Sequence, residues 1–231
     1  METLILPIGS YEYHWSLPLN TDTLIALCVA RKIAEKIEKA TIYPPVNYGV
    51  SLEHVERLET VSIDPEVFLA YVRNIVLNML KLKPKRIILI NGHGGNKGLL
   101  TTLTMELQYT SNSTDIVLLD IWSAIKKILD KYFGVKAVDL IHGGLIESSV
   151  AAVCNIELKE FKNITLEEAI KVVAAKKSKS KGLTIRPWSI KNLEEPSKIC
   201  SKELGERILE VLVSEVVDEI KHHMEGKIKP L

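Results

Sequence analysis

Short apolar runs alternate with longer segments whose apolar residues have helical spacing, and this alternation constrains the fold more than any other feature of the chain. The clearest run, Arg86–Ile90, reads Arg-Ile-Ile-Leu-Ile, and Thr3–Ile8 and Asp115–Asp120 are nearly as apolar. A strand that is apolar at successive positions is buried on both faces, which is typical of parallel strands covered by helices. The sequence therefore predicts the α/β class, with a mostly parallel sheet and helices on both sides of it.

The remaining elements follow from apolar periodicity and from residues that favour helix ends. Pro65 suits a first helical turn, and Thr165 with Glu168 forms the capping-box pattern. The polar, Lys-rich segment Ser178–Pro187 predicts an exposed loop, and no linker or repeat divides residues 1–231, so one domain is expected. One further strand is predicted at Thr41–Val46, and the predicted helices are Asp22–Lys39, Pro65–Lys81, Lys97–Tyr109, Trp122–Lys131, Ile146–Val153, Thr165–Lys176 and Ser201–His223.

Composition argues against several kinds of partner. The 231 residues carry 30 Lys and Arg against 29 Asp and Glu, and the net charge of +1 gives no sign of nucleic-acid binding. No run approaches the ~18 apolar residues of a membrane span, and no signal-peptide pattern opens the chain, so a cytoplasmic protein is expected. Cys28, Cys154 and Cys200 are odd in number and form no CxxC pair, which predicts free, buried thiols.

Polar residues cluster at three places that lead into predicted helices. These clusters are Gly9–Asp22, Asn91–Asn96 and His142–Glu147. Ligands of open α/β sheets bind beyond the carboxyl ends of the strands. The three clusters are therefore candidates for one site.

Each cluster also has a purely structural interpretation. Glu12 and His14 are two residues apart and can face one ion, but they can equally be solvated loop residues. Asp22 and Glu147 can be ordinary acids of a first helical turn. The glycines around His93 allow its ring to be aimed at a ligand. A phosphate loop would need a Walker or GxGxxG pattern, which the sequence lacks.

As candidate ligands the clusters supply two histidines, His14 and His93, and three carboxylates, without a cysteine. This mixture of nitrogen and oxygen ligands suits Zn²⁺, Mn²⁺ or Fe²⁺ rather than a structural thiolate zinc. The sequence therefore predicts a divalent metal site.

The same motifs resemble those of the creatininase family of amidohydrolases. The family's three signatures are similar, in order, to Ile8-Gly-Ser-Tyr-Glu-Tyr-His14 with Leu17-Pro-Leu-Asn-Thr-Asp22-Thr, to Asn91-Gly-His-Gly-Gly-Asn96, and to His142-Gly-Gly with Glu147-Ser-Ser. Tyr48–His54 is similar to a family segment beside the active site. The resemblance spans most of the chain.

The resemblance implies a three-layer α/β/α fold, a homo-oligomer (often a hexamer) and a small-molecule amide as substrate. It also implies two divalent metals per chain, one held by Glu12, Asp22 and His93 and the other by His14, Asp22 and Glu147. His142 and Glu147 are the implied catalytic residues, with His142 handling a proton near the scissile bond. The predicted substrate contacts are Trp15, His54, Gly94, Gly95 and Trp188.

The chain departs from the family pattern in ways that argue against creatinine as its substrate. The segment after His14 is one residue shorter than usual, and Gly95 stands where creatinine-hydrolysing members have a metal-binding Glu. Glu147 then has to serve instead. Arg57–Thr60 also replaces a Phe-Pro-Gly-Thr turn of the family.

Three alternatives compete with the hypothesis of a metal-dependent amidohydrolase. The compact length and the segment after Leu204 resemble archaeal members that deformylate a ribosylaminopyrimidine phosphate. A metal-free Ser or Cys hydrolase could use Ser148 or Ser149 near His142 or a cysteine, although no Gly-x-Ser-x-Gly elbow is present and each cysteine lies in an apolar context. A catalytically silent member that only binds a ligand is the third alternative.

Overall fold

The structure is a computed structural model that describes residues 3–56, 59–111, 113–135, 142–175 and 195–224. Short 3-10 turns lie at Leu52–His54 and Gly94–Asn96. The strands are β1 (Thr3–Ile8), β2 (Ala40–Ile42), β3 (Arg86–Asn91), β4 (Asp115–Asp120), β5 (Lys162–Asn163) and β6 (Ile199–Cys200). The helices are α1 (Thr21–Ala34), α2 (Pro65–Leu80), α3 (Lys97–Thr110), α4 (Ile121–Phe133), α5 (Leu145–Val153), α6 (Leu166–Ala175) and α7 (Lys202–Met224).

Four parallel strands form the central sheet in the order β2-β1-β3-β4. Successive side chains of a strand point to opposite faces. Ile88 and Ile90 accordingly enter one apolar core, whereas Ile87 and Leu89 enter the other. Helices α1, α4, α5, α6 and α7 cover the first core, and α2 and α3 cover the second. The predicted α/β fold with three layers is confirmed.

The predicted helices and longer strands are present, and the differences lie mainly at their ends. α1 ends at Ala34 rather than Lys39, which has a left-handed backbone with a φ of 56°. The Thr165 N–H donates to Glu168 Oε2 at 2.9 Å, as the capping box requires. The short pair β5–β6 was not predicted, because two-residue strands show no periodicity. The predicted Ser178–Pro187 loop lies outside the described residues, and the single domain stays a prediction.

Cys28 and Cys154 form a disulfide bond, so the prediction that all three cysteines are free thiols was wrong. The two residues are 126 positions apart, yet the fold brings their Cα atoms to 5.7 Å. Such a separation gives no sign of contact in a single sequence. Cys200 is free and buried, as predicted. Among the described helices, none has the length and apolar character needed to cross a membrane.

Helix α5 packs very closely on α7. A Cβ atom at Gly205 would lie 2.1 Å from the carbonyl oxygen of Ser149. The Ser149 hydroxyl oxygen also accepts a hydrogen bond from the Ser201 N–H at 2.8 Å. The position of α5 therefore depends on the absence of a side chain at residue 205.

Gly205→Ala is expected to lower the free energy of unfolding by about 1–3 kcal/mol, because the added methyl group overpacks the contact. Gly98→Ala is the matched control, since a Cβ at this helical glycine would meet no atom within 4 Å. The control should raise stability by about 0.5–1 kcal/mol. Urea unfolding measures both, and equal stability of the two variants would contradict the close packing.

Candidate metal centre

Five ligand-type side chains come together at the carboxyl edge of the sheet. Glu12 and His14 lie in the loop after β1, and His93 follows β3 directly. Asp22 and Glu147 lie in the first turns of α1 and α5. All five are buried, with at most 6% of their surface exposed. Because β1 and β3 are neighbours that end in register, the loops after them meet at one place.

Asp22 lies at the centre of this cluster. Its Oδ1 atom is 3.2 Å from His14 Nε2, and its Oδ2 atom is 2.9 Å from His93 Nδ1. The Ser10 hydroxyl donates to Oδ2 at 2.7 Å. The two carboxylate oxygens thus face different histidines, which is the arrangement that a shared ligand requires.

Glu12 and Glu147 complete two groups of possible ligands around Asp22. Glu12 Oε1 lies 3.3 Å from His93 Nδ1, and Glu147 Oε1 lies 3.3 Å from His14 Nε2. Within each group the ligand atoms lie within 4.8 Å of one another. The first ligand group is Glu12–Asp22–His93 and the second ligand group is His14–Asp22–Glu147, the same two sets that the family resemblance implies.

Hydrogen bonds to backbone carbonyls orient both imidazole rings. The Nδ1–H of His14 donates to the Glu12 carbonyl at 2.9 Å, and the Nε2–H of His93 donates to the Val50 carbonyl at 2.9 Å. The other nitrogen of each ring then presents a lone pair to the cluster. Metal-binding histidines are commonly held in this way.

The cluster favours positive charge. Burial raises the pKa of Glu12, but the neighbouring His93 outweighs it and lowers that pKa to about 2. Burial lowers the pKa of His14, but Asp22 and Glu147 raise it well above its usual value. Glu12 Oε2 is buried and accepts no hydrogen bond from the described residues. A buried acceptor without a donor is rare, so these residues fit a site for divalent cations.

His142 is the most exposed member of the cluster, with 20% of its side chain accessible. Its Nε2–H donates to the Tyr13 carbonyl at 2.6 Å, and its Nδ1 lies 3.8 Å from Glu12 Oε1. The ring lies between those of His14 and His54, at centroid distances of 4.3 and 4.2 Å. His142 therefore reaches both the cluster and the solvent. With Glu12 and His14 it also forms a third possible ligand group.

Glu147 makes contacts with both of its carboxylate oxygens. Oε1 faces His14 Nε2, whereas Oε2 accepts a hydrogen bond from the N–H of Gly143. Gly143 adjoins His142 in the chain. One carboxylate thus connects the second ligand group to the turn that carries His142.

The predicted substrate contacts occupy different environments. His54 is 5% exposed, and its Nε2 lies 3.6 Å from Glu12 Oε1. Burial lowers the pKa of His54 to about 4. Trp15 packs edge-on against Tyr13 at a centroid distance of 5.4 Å. Trp188 lies outside the described residues.

The two central glycines differ in the space around them. A Cβ at Gly95 would lie 2.1 Å from the Val50 carbonyl oxygen and 2.5 Å from His93 Nε2. A Cβ at Gly94 would meet no atom within 4 Å. The absence of a side chain at Gly95 therefore leaves room for the His93 ring, and a Glu at this position would collide with that ring.

Two supporting residues were not singled out from the sequence. Ser10 bonds Asp22, and nothing in its sequence context indicates this role. Asn96 directly precedes α3 at the N-cap position, but its side chain makes no capping hydrogen bond to the helix. Instead its amide accepts from the Val50 N–H and donates to the Gly9 carbonyl, both at 2.9 Å. Its place at the end of the glycine-rich motif was the only available signal.

The residues of the metal-free alternative have structural partners. The Ser148 hydroxyl donates to the Ile199 carbonyl at 2.7 Å, and the Ser149 hydroxyl donates to the Leu145 carbonyl at 2.6 Å. Both serines are fully buried. Burial also raises the pKa of the Cys200 thiol. None of the three is arranged as a nucleophile.

A parallel α/β sheet with buried histidines and carboxylates at its carboxyl edge defines the class, an α/β protein with a candidate two-metal centre. The sequence profile of the creatininase family, described as creatinine amidohydrolase, matches residues 1–220. The chain belongs to this family. It is therefore an enzyme of the amidohydrolase class.

Characterised relatives carry several activities. Creatinine amidohydrolase of Pseudomonas putida is 25% identical, over 94% of this chain and 88% of that protein. A 2-amino-5-formylamino-6-ribosylaminopyrimidin-4(3H)-one 5'-monophosphate deformylase of Methanosphaera stadtmanae is 24% identical over the same shares. The mycofactocin precursor peptide peptidase of Mycolicibacterium smegmatis is 37% identical, but over only 46% of this chain and 45% of the peptidase.

Solved structures confirm the fold. A creatinine amidohydrolase matches 96% of this chain and 90% of its own with a TM-score of 0.72 at 23% identity. A manganese creatininase matches with a TM-score of 0.70, and a zinc–zinc creatininase variant with 0.69, both at 22% identity. These two cover 96% of this chain and 91% and 90% of their own chains.

Gly95→Ala is expected to displace the His93 ring and to weaken metal binding by about 10–100-fold, the usual cost of disturbing a residue that orients a ligand. Gly94→Ala is the matched control, because its methyl group meets open space. Calorimetric titration with Mn²⁺ measures both variants. Equal Mn²⁺ affinity of Gly95→Ala and Gly94→Ala would contradict the view that Gly95 leaves room for the His93 ring.

Proposed function

We propose that the chain is a metal-dependent amidohydrolase that cleaves a non-peptide C–N bond in a small amide, cyclic amide or formamide. The observation that carries this proposal is the position of Asp22, buried between His14 and His93 with one oxygen directed at each. Membership of the creatininase family supports the same class of reaction.

Two divalent cations are the proposed cofactors, one in each ligand group with Asp22 shared. The nitrogen and oxygen donors suit zinc, manganese or iron. Structures of zinc and manganese creatininases with this fold support the first two. Bound there, the cations supply Lewis acidity that acidifies a water and polarises an amide carbonyl.

His142 is the proposed proton donor to the departing nitrogen. Because its Nε2–H is engaged by the Tyr13 carbonyl, Nδ1 is the atom that exchanges a proton on the side of the cluster. The bond to Tyr13 and the stack on His54 hold the ring in one orientation. A positioned general acid contributes about 10²–10⁴-fold to the rate.

Deformylation of a formylamino-ribosylaminopyrimidine phosphate is the second candidate. It is favoured by a relative that aligns with 94% of this chain, whereas the aligned peptidase matches less than half. The identities of the deformylase and the creatinine amidohydrolase are nearly equal, so similarity alone does not choose between them.

The cytoplasmic location and the homo-oligomeric, hexameric state stay predictions. Disulfides persist mainly in oxidising compartments, so the Cys28–Cys154 bond gives the cytoplasmic location no support. Light scattering after gel filtration measures the oligomer.

Metal analysis combined with a substrate panel tests the proposed class. We expect about two divalent cations per chain and hydrolysis of amides or formamides that a chelator abolishes and Mn²⁺ or Zn²⁺ restores. Turnover that persists in chelator would favour a metal-free hydrolase. Bound metal without turnover on any member of the panel would favour a silent, ligand-binding protein.

His93→Ala and His142→Ala separate metal binding from proton transfer. His93→Ala should lose metal and activity together, because it removes a ligand at 2.9 Å from Asp22. His142→Ala should keep its metal and lose roughly 10²–10⁴-fold in kcat. Loss of metal from His142→Ala would instead place His142 among the ligands, as the third possible group allows.

A further inference from the structure

Two helices that carry candidate ligands are joined by the disulfide bond. Cys28 lies in α1 and Cys154 directly follows α5. The same two helices carry Asp22 and Glu147 in their first turns. Both cysteines are half-buried.

The disulfide and the ligand cluster hold these two helices together at two separate points. Cys28 follows Asp22 by six residues, and Cys154 follows Glu147 by seven. At a rise of 1.5 Å per residue these offsets are about 9 and about 10 Å. In the first turns of the helices, the two carboxylates lie 3.2 and 3.3 Å from the same His14 nitrogen. α1 and α5 therefore run side by side in the same direction and are held together in their first turns and at the disulfide.

Glu147 depends on helix packing more than Glu12 and His93 do. Glu12 and His93 follow strands that pair over six residues, and Asn96 ties the segments around them together. Glu147 arrives on a helix, and its position is set by the contacts of α5 with α1 and α7. Asp22 and Glu147 approach the same His14 nitrogen from two different helices, so the spacing of α1 and α5 sets the distance between the two carboxylates.

We propose that the Cys28–Cys154 disulfide is a positioning device for Glu147 that strengthens binding of a cation by the second ligand group. The first ligand group depends on it much less, because Glu12 and His93 follow strands of the sheet and only Asp22 lies on a helix joined by the disulfide. This inference rests on the metal centre proposed above. Removing the disulfide is expected to lower the affinity for one of the two cations by about 10–100-fold, which is the usual effect of losing a residue that orients a metal ligand.

Mn²⁺ is the appropriate probe, because carboxylate and imidazole ligands suit it better than thiols do. Its binding is measured on the full chain as purified, after reduction by a water-soluble phosphine, in the double variant Cys28→Ala/Cys154→Ala and in the control Cys200→Ala. The phosphine gives two electrons to the disulfide. Water supplies two protons and the oxygen that the phosphine takes up, and two thiols result. Circular dichroism checks that each sample is folded.

The expected result is two Mn²⁺ sites in the oxidised protein and in Cys200→Ala, with one site selectively weakened by reduction and in the double variant. In the reduced protein and in the double variant, a higher Mn²⁺ concentration should be needed before the electron paramagnetic resonance signal of a coupled Mn²⁺ pair appears. Three free thiols in the purified protein, unchanged binding after reduction, or equal weakening of both sites would each overturn the positioning role. Absence of any Mn²⁺ site from the oxidised protein would instead refute the metal centre itself.

Discussion

The burial of Asp22 between two histidines is the constraint on which the rest of the site depends. Three carboxylates lie in a space where water cannot solvate them, and an unpaired buried charge is very costly. Even if both imidazole rings were protonated, their two positive charges would leave one of the three negative charges unbalanced. The hydrogen bond from the Ser10 hydroxyl stabilises the charge on Asp22 Oδ2 only. Glu12 Oε2 accepts no hydrogen bond from the described residues. The charge of the cluster supports its assignment as a candidate site for cations.

The parallel sheet makes this concentration of charge tolerable. β1 and β3 end side by side, so that the backbone leaves both strands at one edge. Asp22 and Glu147 lie in first helical turns, where the unpaired N–H groups and the helix dipole favour a negative charge. The structural interpretation of these two acids and their interpretation as metal ligands are therefore compatible, because a helix start is a suitable place to hold a carboxylate directed at a cation.

The sequence predicted what periodicity and short motifs encode. Arg86–Ile90 and the glycine-rich segment after it identified the central strand and His93, because burial on both faces and close approach of the backbone leave a local signature. Contacts between distant segments left none. The Cys28–Cys154 bond, the bridge made by Asn96 and the partners of the buried serines arise only when α1, α5 and the loops are packed. The ends of α1 and β2 were also misjudged, since helices and strands end for tertiary as well as local reasons.

The departure at Gly95 and the use of Glu147 are connected. With the His93 ring and the Val50 carbonyl filling the space at Gly95, a carboxylate for the second ligand group has to come from elsewhere, and α5 supplies it. A ligand from α5 brings a second consequence, because its other oxygen holds the N–H of Gly143 beside His142. In the proposed metal centre, one side chain therefore supplies a charge to a cation and also fixes the turn that carries the proposed proton donor. A change that moves α5 displaces both of these contacts together, so the packing of α5 acts on the proposed site through Glu147.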